Sequence, residues 1–154
     1  MRYLPDTGTR VAAHTPDHLN RAIAAQIERN VRFFAEHPDR IDQRLRELDA
    51  EWDTERVLEA NAATLAFTGT VLAAVSDRRW LALPAVVTAF LLQHAVQGWC
   101  PPIPVIRRLG VRTTREIDRE RVALKALRGD FDAMERADGA AHARAVAALR
   151  AAEA

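Results

Sequence analysis

Residues 60–76 read ANAATLAFTGTVLAAVS, residues 77–79 read DRR, and residues 80–106 read WLALPAVVTAFLLQHAVQGWCPPIPVI. Two uncharged, apolar runs are thus separated by a single charged triplet. About 20 apolar residues span a hydrocarbon core about 30 Å thick, so the second run reaches that length and the first is marginal. Two such runs with a short charged tip describe a helical hairpin. At about 1.5 Å per residue, a helix from Trp80 to Trp99 spaces the two rings by roughly 28 Å, the separation of two membrane interfaces. Both tryptophans therefore read as interface anchors.

Outward from the hairpin the chain changes character. Of 154 residues, 28% are charged, and nearly all of these lie in residues 1–59 and 107–154. The formal net charge of +1 argues against nucleic acid as a partner. A single cysteine excludes an internal disulfide and a Cys-rich metal site. The N-terminal residues lack an apolar core, so they read as no cleavable signal and any insertion falls to the hairpin. No cofactor is called for: no Gly-rich phosphate loop, nucleophile elbow or paired-carboxylate site stands out.

Residues 1–14 read as a flexible arm. Thr15, Pro16 and Asp17 open an amphipathic helix carrying Leu19, Ile23, Ile27, Val31 and Phe34, which ends near Glu36, before Pro38. A second amphipathic segment puts Ile41, Leu45, Leu48 and Trp52 on one stripe. Asp53 caps the next helix, which continues without proline into the first apolar run, so residues 15–59 form a helical arm. Within residues 60–106, Asn61, Thr64 and Thr68 share a face beside Gly69, and the second helix carries Thr88, Gln93, His94 and Gln97. The two sets are expected to face each other, since hydrocarbon offers polar groups no other partner. Pro84 either kinks the second helix or shortens it.

Gly98 with Pro101, Pro102 and Pro104 ends the second helix. Arg107, Arg108, Arg112 and Arg115 follow directly and read as contacts for anionic lipid headgroups, worth about 1 kcal/mol each near the surface. Thr113 and Glu116 form a capping box that opens a helix carrying Ile117, Leu124, Leu127 and Phe131, closed by Gly129 and Asp130. That basic helix fills residues 107–131, and residues 132–154 form an Ala-rich, solvated tail. The tip offers Arg78 and Arg79 against Arg44, Arg46, Arg56 and the four later arginines. The positive-inside rule then puts both termini in the cytoplasm.

Glu51-Trp52-Asp53-Thr54-Glu55-Arg56, Gln97-Gly98-Trp99-Cys100-Pro101-Pro102, and Arg115-Glu116-Ile117-Asp118 running on to Lys125-Ala126-Leu127-Arg128-Gly129-Asp130-Phe131 together resemble the inner-membrane YgaP-like transmembrane-domain family of bacteria. The resemblance covers residues 15–131, with Gly-Trp-Cys-Pro its most specific part. It implies a two-helix hairpin in a bacterial inner membrane. Some relatives fuse this hairpin to a rhodanese, a sulfurtransferase domain that this chain lacks.

Cys100 is the redox candidate: a persulfide carrier, sensor or intermolecular disulfide former, with neighbouring arginines favouring a thiolate. His94 is an ionisable group one turn inside Trp99, a position that suggests function within a membrane helix, or else a hydrogen bond to Thr or Asn of the other helix. His14 and His18 have a metal-compatible spacing but no third ligand, so no metal site is expected.

The reading is an all-α chain, a two-helix transmembrane hairpin with amphipathic cytoplasmic helices before and after it, acting as a non-enzymatic, multi-pass inner-membrane anchor or scaffold. Its expected partners are a bilayer with anionic headgroups, further copies of itself as a homo-oligomer, and a protein engaged by the amphipathic arms. Two alternatives stand beside it: a sulfur-handling or redox accessory using Cys100, and a soluble helical bundle with residues 60–106 as its core.

Overall fold

The structure, a computed structural model, describes residues 6, 8–132 and 141–153, and these are helical without any strand. The helices are α1 (Arg10–Ala13), α2 (Asp17–Glu36), α3 (Ile41–Ala50), α4 (Thr54–Val75), α5 (Ala82–Gln97), α6 (Ile103–Arg108), α7 (Thr114–Arg128) and α8 (Ala141–Glu153), with 3-10 turns at Pro38–Arg40 and Arg78–Leu81. The chain divides into two compact units, residues 1–24 with 52–115 and residues 25–51 with 116–154. The division pools segments that are distant in sequence, rather than following the linear order of arm, hairpin and tail.

The first unit is built on α4 and α5. Asp53 opens α4 as read from the sequence, its Oδ1 accepting from the Arg56 amide at 2.8 Å. Thr54 is wholly buried; its amide and hydroxyl both donate to the Arg112 carbonyl, at 2.8 and 3.0 Å. The Ala- and Leu-rich sequence then runs to Val75 without a breaker. Asp77 caps the 3-10 turn through the Arg79 amide at 2.8 Å.

Pro84 falls in the first turn of α5, where backbone amides lack helical partners in any case, so it neither kinks the helix nor begins it. It packs where α4 has no side chain. A Cβ on Gly69 would sit 2.6 Å from Pro84 Cδ and 3.2 Å from the Trp80 carbonyl oxygen. The missing side chain thus leaves room for Pro84 and the Trp80 carbonyl against α4, as small residues do between packed helices. By length and composition both the helix ending at Val75 and residues Arg78–Gln97 are able to cross a membrane.

The hydroxyls of the hairpin do not face each other as expected. Thr64, Thr68 and Thr70 donate to the carbonyls of Ala60, Thr64 and Ala66 in their own helix at 2.7–2.8 Å, and Thr88 donates to Pro84 at 2.7 Å. A threonine can satisfy itself in this way because its hydroxyl reaches the carbonyl four residues back. Asn61, Thr64 and Thr68 are accordingly exposed.

Gly98 ends α5 in the left-handed conformation at φ 78°, its amide bonded to the His94 carbonyl. The prolines beyond it do more than stop a helix: Pro102 caps α6 and Pro104 lies in its first turn, where a missing amide costs nothing. Residues 80–106 therefore hold α5 and, past the Gly98 turn, the start of α6. Val11, Leu58, Cys100, Ile103 and Ile106 form the buried cluster at this end of the unit. Residues 10–13, read as part of a flexible arm, are helical and contribute Val11 to it.

In the second unit Ile41, Leu45, Leu48, Ile117 and Leu124 form the core, with Phe34 against it. The expected stripes are largely those buried. Trp52 is the exception: α3 stops at Ala50, and the Trp52 ring is half exposed beneath the Arg56 guanidinium at 4.4 Å. Leu127, placed on the α7 stripe by its spacing, is also exposed. Glu120, fully buried, accepts from Arg44 Nε at 2.9 Å and Asn30 Nδ2 at 3.1 Å. Gly129 closes α7 in the left-handed conformation, and Arg128 forks onto Asp130 while reaching Asp42 at 2.7 Å. The guanidinium beside it holds the Asp130 carboxyl below the usual carboxylate range. Of the Ala-rich tail, residues 141–153 are helical and residues 133–140 lie outside the described residues.

Candidate functional site

Antiparallel pairing of α4 and α5 brings the start of one to the end of the other, remote from the Asp77 turn. There Glu55, from the first turn of α4, meets His94, from the last turn of α5. His94 Nε2 lies 2.7 Å from Glu55 Oε2. Arg10 Nη2 of α1 donates to the other carboxylate oxygen, Oε1, at 2.9 Å. His94 is 3% exposed, whereas the Arg10 and Glu55 side chains keep 22% and 32% of their surface. A carboxylate only accepts, so in this contact the imidazole Nε2–H is the donor and Glu55 Oε2 the acceptor. His94 Nδ1 and Arg10 Nε are buried and have no hydrogen-bond partner among the described residues.

Helix α1 closes this end of the hairpin. His14 Nε2 lies 3.0 Å from the Gln97 carbonyl oxygen. A Cβ on Gly98 would come within 2.5 Å of Arg10 Cβ, so α1 sits where only glycine leaves room. The turn between α1 and α2 is in turn held by Arg107. This side chain, 1% exposed, donates to Thr15 Oγ1 at 3.2 Å, to the Val111 carbonyl at 3.0 Å and to Asn20 Oδ1 at 3.2 Å.

That arrangement corrects the reading of the arginine cluster. Arg107 and Arg112 are buried, out of reach of lipid headgroups, and Arg107 is engaged with protein groups. Arg108 and Arg115 do remain exposed, Arg115 lying 3.9 Å from Asp6. His94 is likewise not bonded to Thr or Asn of the opposing helix; its partner is a carboxylate. Gln97 points its side chain outward and offers its backbone carbonyl to His14. Trp80 is 44% exposed, and Trp99 is half-buried, edge-on to Phe90 at 6.4 Å.

Cys100 is 4% exposed among Val11, Leu58, Ile103 and Ile106, and burial pushes its thiol pKa up. The arginines beside it in sequence do not favour a thiolate, because desolvation outweighs them and Arg107 is engaged elsewhere. A thiol with a raised pKa carries less thiolate at any given pH and is the poorer nucleophile. At pH 8 the native protein is expected to react with a disulfide reagent about tenfold or more slowly than a free thiol, and at the free-thiol rate once unfolded. Thiol titration before and after denaturation measures this; equal rates would contradict the buried placement.

Sequence reading missed Arg10 and Glu55. The signal was present: in an antiparallel hairpin the first turn of α4 and the last turn of α5 adjoin, and each carries an ionisable residue. Chemically, the cluster is an imidazole oriented by a carboxylate that a guanidinium holds in place. Among the described residues no group of three or more His, Cys, Asp or Glu converges as metal ligands; His14 and His18 are both exposed, and His14 is engaged with the Gln97 carbonyl. Fold and site together define an all-helical chain with two long apolar helices joined at their base by a charged cluster. No protein-family model matches this chain, and neither a curated protein nor a solved structure is significantly similar to it.

Proposed function

We propose that this chain is a non-enzymatic integral membrane protein, a helical hairpin that anchors or scaffolds at a bacterial inner membrane, as the resemblance to the YgaP-like family implies. One observation carries the reading. Of the most apolar windows of the two long helices, only 11% and 6% is buried within the chain. Phe67, Val75 and Leu92 are 71%, 75% and 67% exposed. The core of a soluble bundle would be covered by its own chain, and large exposed apolar surfaces mark contact with lipid or with another protein.

In this reading Trp80 lies at the outer interface, and Arg78 and Arg79 form the external tip. Arg44, Arg46, Arg56, Arg108 and Arg115 stay on the cytoplasmic side with both termini. Arg108 and Arg115, which remain exposed, are the headgroup contacts. Self-association adds copies through the outward faces of α4 and α5, and the arms offer a surface to a protein partner. The buried, raised-pKa Cys100 weighs against a sulfur-handling role.

Topology is tested by labelling single cysteines in a Cys100→Ser background with a membrane-impermeant maleimide on intact bacterial cells. Arg79→Cys is expected to label from outside, and Arg108→Cys only after permeabilisation. Labelling of both, or of neither, in intact cells would contradict the two crossings. Cross-linking in the same membranes reads self-association.

A further inference from the structure

Between α4 and α5, next to the charged base, lies a cavity of about 180 Å³. Its wall includes Leu58, Ala62 and Leu65 of α4, Val87 and Leu91 of α5, and Cys100, and it holds no charged group. Apart from the thiol, Asn61 is the one hydrogen-bonding side chain on it. We propose that this cavity is a binding site for the end of a lipid acyl chain.

Water is a poor occupant, since a buried water needs two to four polar partners and this wall offers scarcely any. A dry apolar cavity of about 150 Å³ takes a benzene ring, so this one has room for about six carbons. Its shape favours a chain. Leu58, Ala62 and Leu65 follow one another along α4 over roughly 10 Å, so the cavity runs with the helix axes. In a bilayer that direction is shared by the surrounding acyl chains. The rim lies open to them: Leu65 is 42% exposed, and Asn61 is exposed as well. The base is closed by Cys100, whose neighbours Val11 and Ile103 are buried. Glu55 and His94 stand one turn beyond Leu58 and Leu91 and are not on the wall, so the interior suits an apolar tail end and not a charged headgroup.

The source of the chain rests on the membrane reading above; the cavity itself does not. The full-length protein is reconstituted in phosphatidylcholine vesicles containing a phosphatidylcholine with a diazirine near the methyl end of one chain, and cross-links are mapped by peptide mass spectrometry. Labelling is expected to concentrate several-fold on Leu58, Ala62 and Leu91 over Phe67 and Leu92, which face outward. Ala62→Phe, which fills the cavity, is expected to lower cavity labelling about tenfold while Phe67 and Leu92 are unchanged. Should that variant lose its helical circular dichroism, Val87→Phe fills the cavity from the other helix. Labelling spread evenly over both sets, or cavity labelling indifferent to filling, overturns the site. If the protein is instead soluble without lipid, the same mapping with a free diazirine fatty acid in buffer separates the two failures: cavity labelling there keeps the site and removes the membrane reading, and its absence removes both.

Discussion

Arg107→Met is expected to destabilise the first unit by about 3 kcal/mol. The arginine lies within a stretch that reads as a row of topology signals, yet at 1% exposed it holds Thr15, Asn20 and the Val111 carbonyl together. Methionine fills much of the same volume but donates nothing. The acceptors it leaves behind are poorly placed to recover water, and an unmet buried acceptor costs more than a hydrogen bond contributes when made. The effect should reach α1, because Thr15 also donates to the Val11 carbonyl and Asn20 to that of Ala12. Arg108→Met is the control: its parent is exposed, so the change should stay within about 0.5 kcal/mol. Thermal unfolding in detergent micelles, followed by circular dichroism, measures both. Equal shifts for the two variants would show that Arg107 is a surface residue after all.

The second large effect falls in the other unit. Glu120→Ala is expected to cost about 3 kcal/mol or more, because Glu120 is fully buried and its removal takes away the carboxylate that Arg44 Nε and Asn30 Nδ2 address. Glu120→Gln keeps an oxygen acceptor in the same place and should lose less. The pair need not be more stabilising than an apolar replacement, since burying two charges costs desolvation that their attraction only partly offsets. The double variant Glu120→Met with Arg44→Met is therefore expected to be more stable than Glu120→Ala. Unfolding in urea of all four proteins checks this. A double variant as unstable as Glu120→Ala would mean that the packing of α3 and α7 depends on the ion pair itself.

These two residues, Arg107 and Glu120, also mark where sequence reading stops. Local signals were legible: Thr15-Pro16-Asp17 before α2, Asp53 before α4, Gly98 and Gly129 after α5 and α7, and the apolar stripes of α2 and α3. The caps are written in a few neighbouring residues and answer to backbone chemistry, and the stripes repeat with the helical period. Helices as short as α1 and α6 carry too few residues for a period to show. The partners of a long side chain are harder still. Arg107 reaches a threonine 92 positions away, and charge beside an apolar run looks the same whether the guanidinium meets lipid or folds inward. Threonine on α4 misled for a related reason: its polarity suggested a partner across the interface, whereas its own backbone satisfies it. Of the site, His94 was visible as an ionisable residue in an apolar helix. Its partners Glu55 and Arg10 emerge only once the hairpin is closed and α1 is laid across its end.

Everything functional here depends on lipid covering the outward faces of α4 and α5. Alkaline carbonate extraction of membranes from cells expressing the full chain tests this most directly. The account predicts that the protein stays in the pellet through the wash and leaves it only with detergent. Recovery in the carbonate supernatant, followed by a monodisperse species in detergent-free buffer, would contradict it.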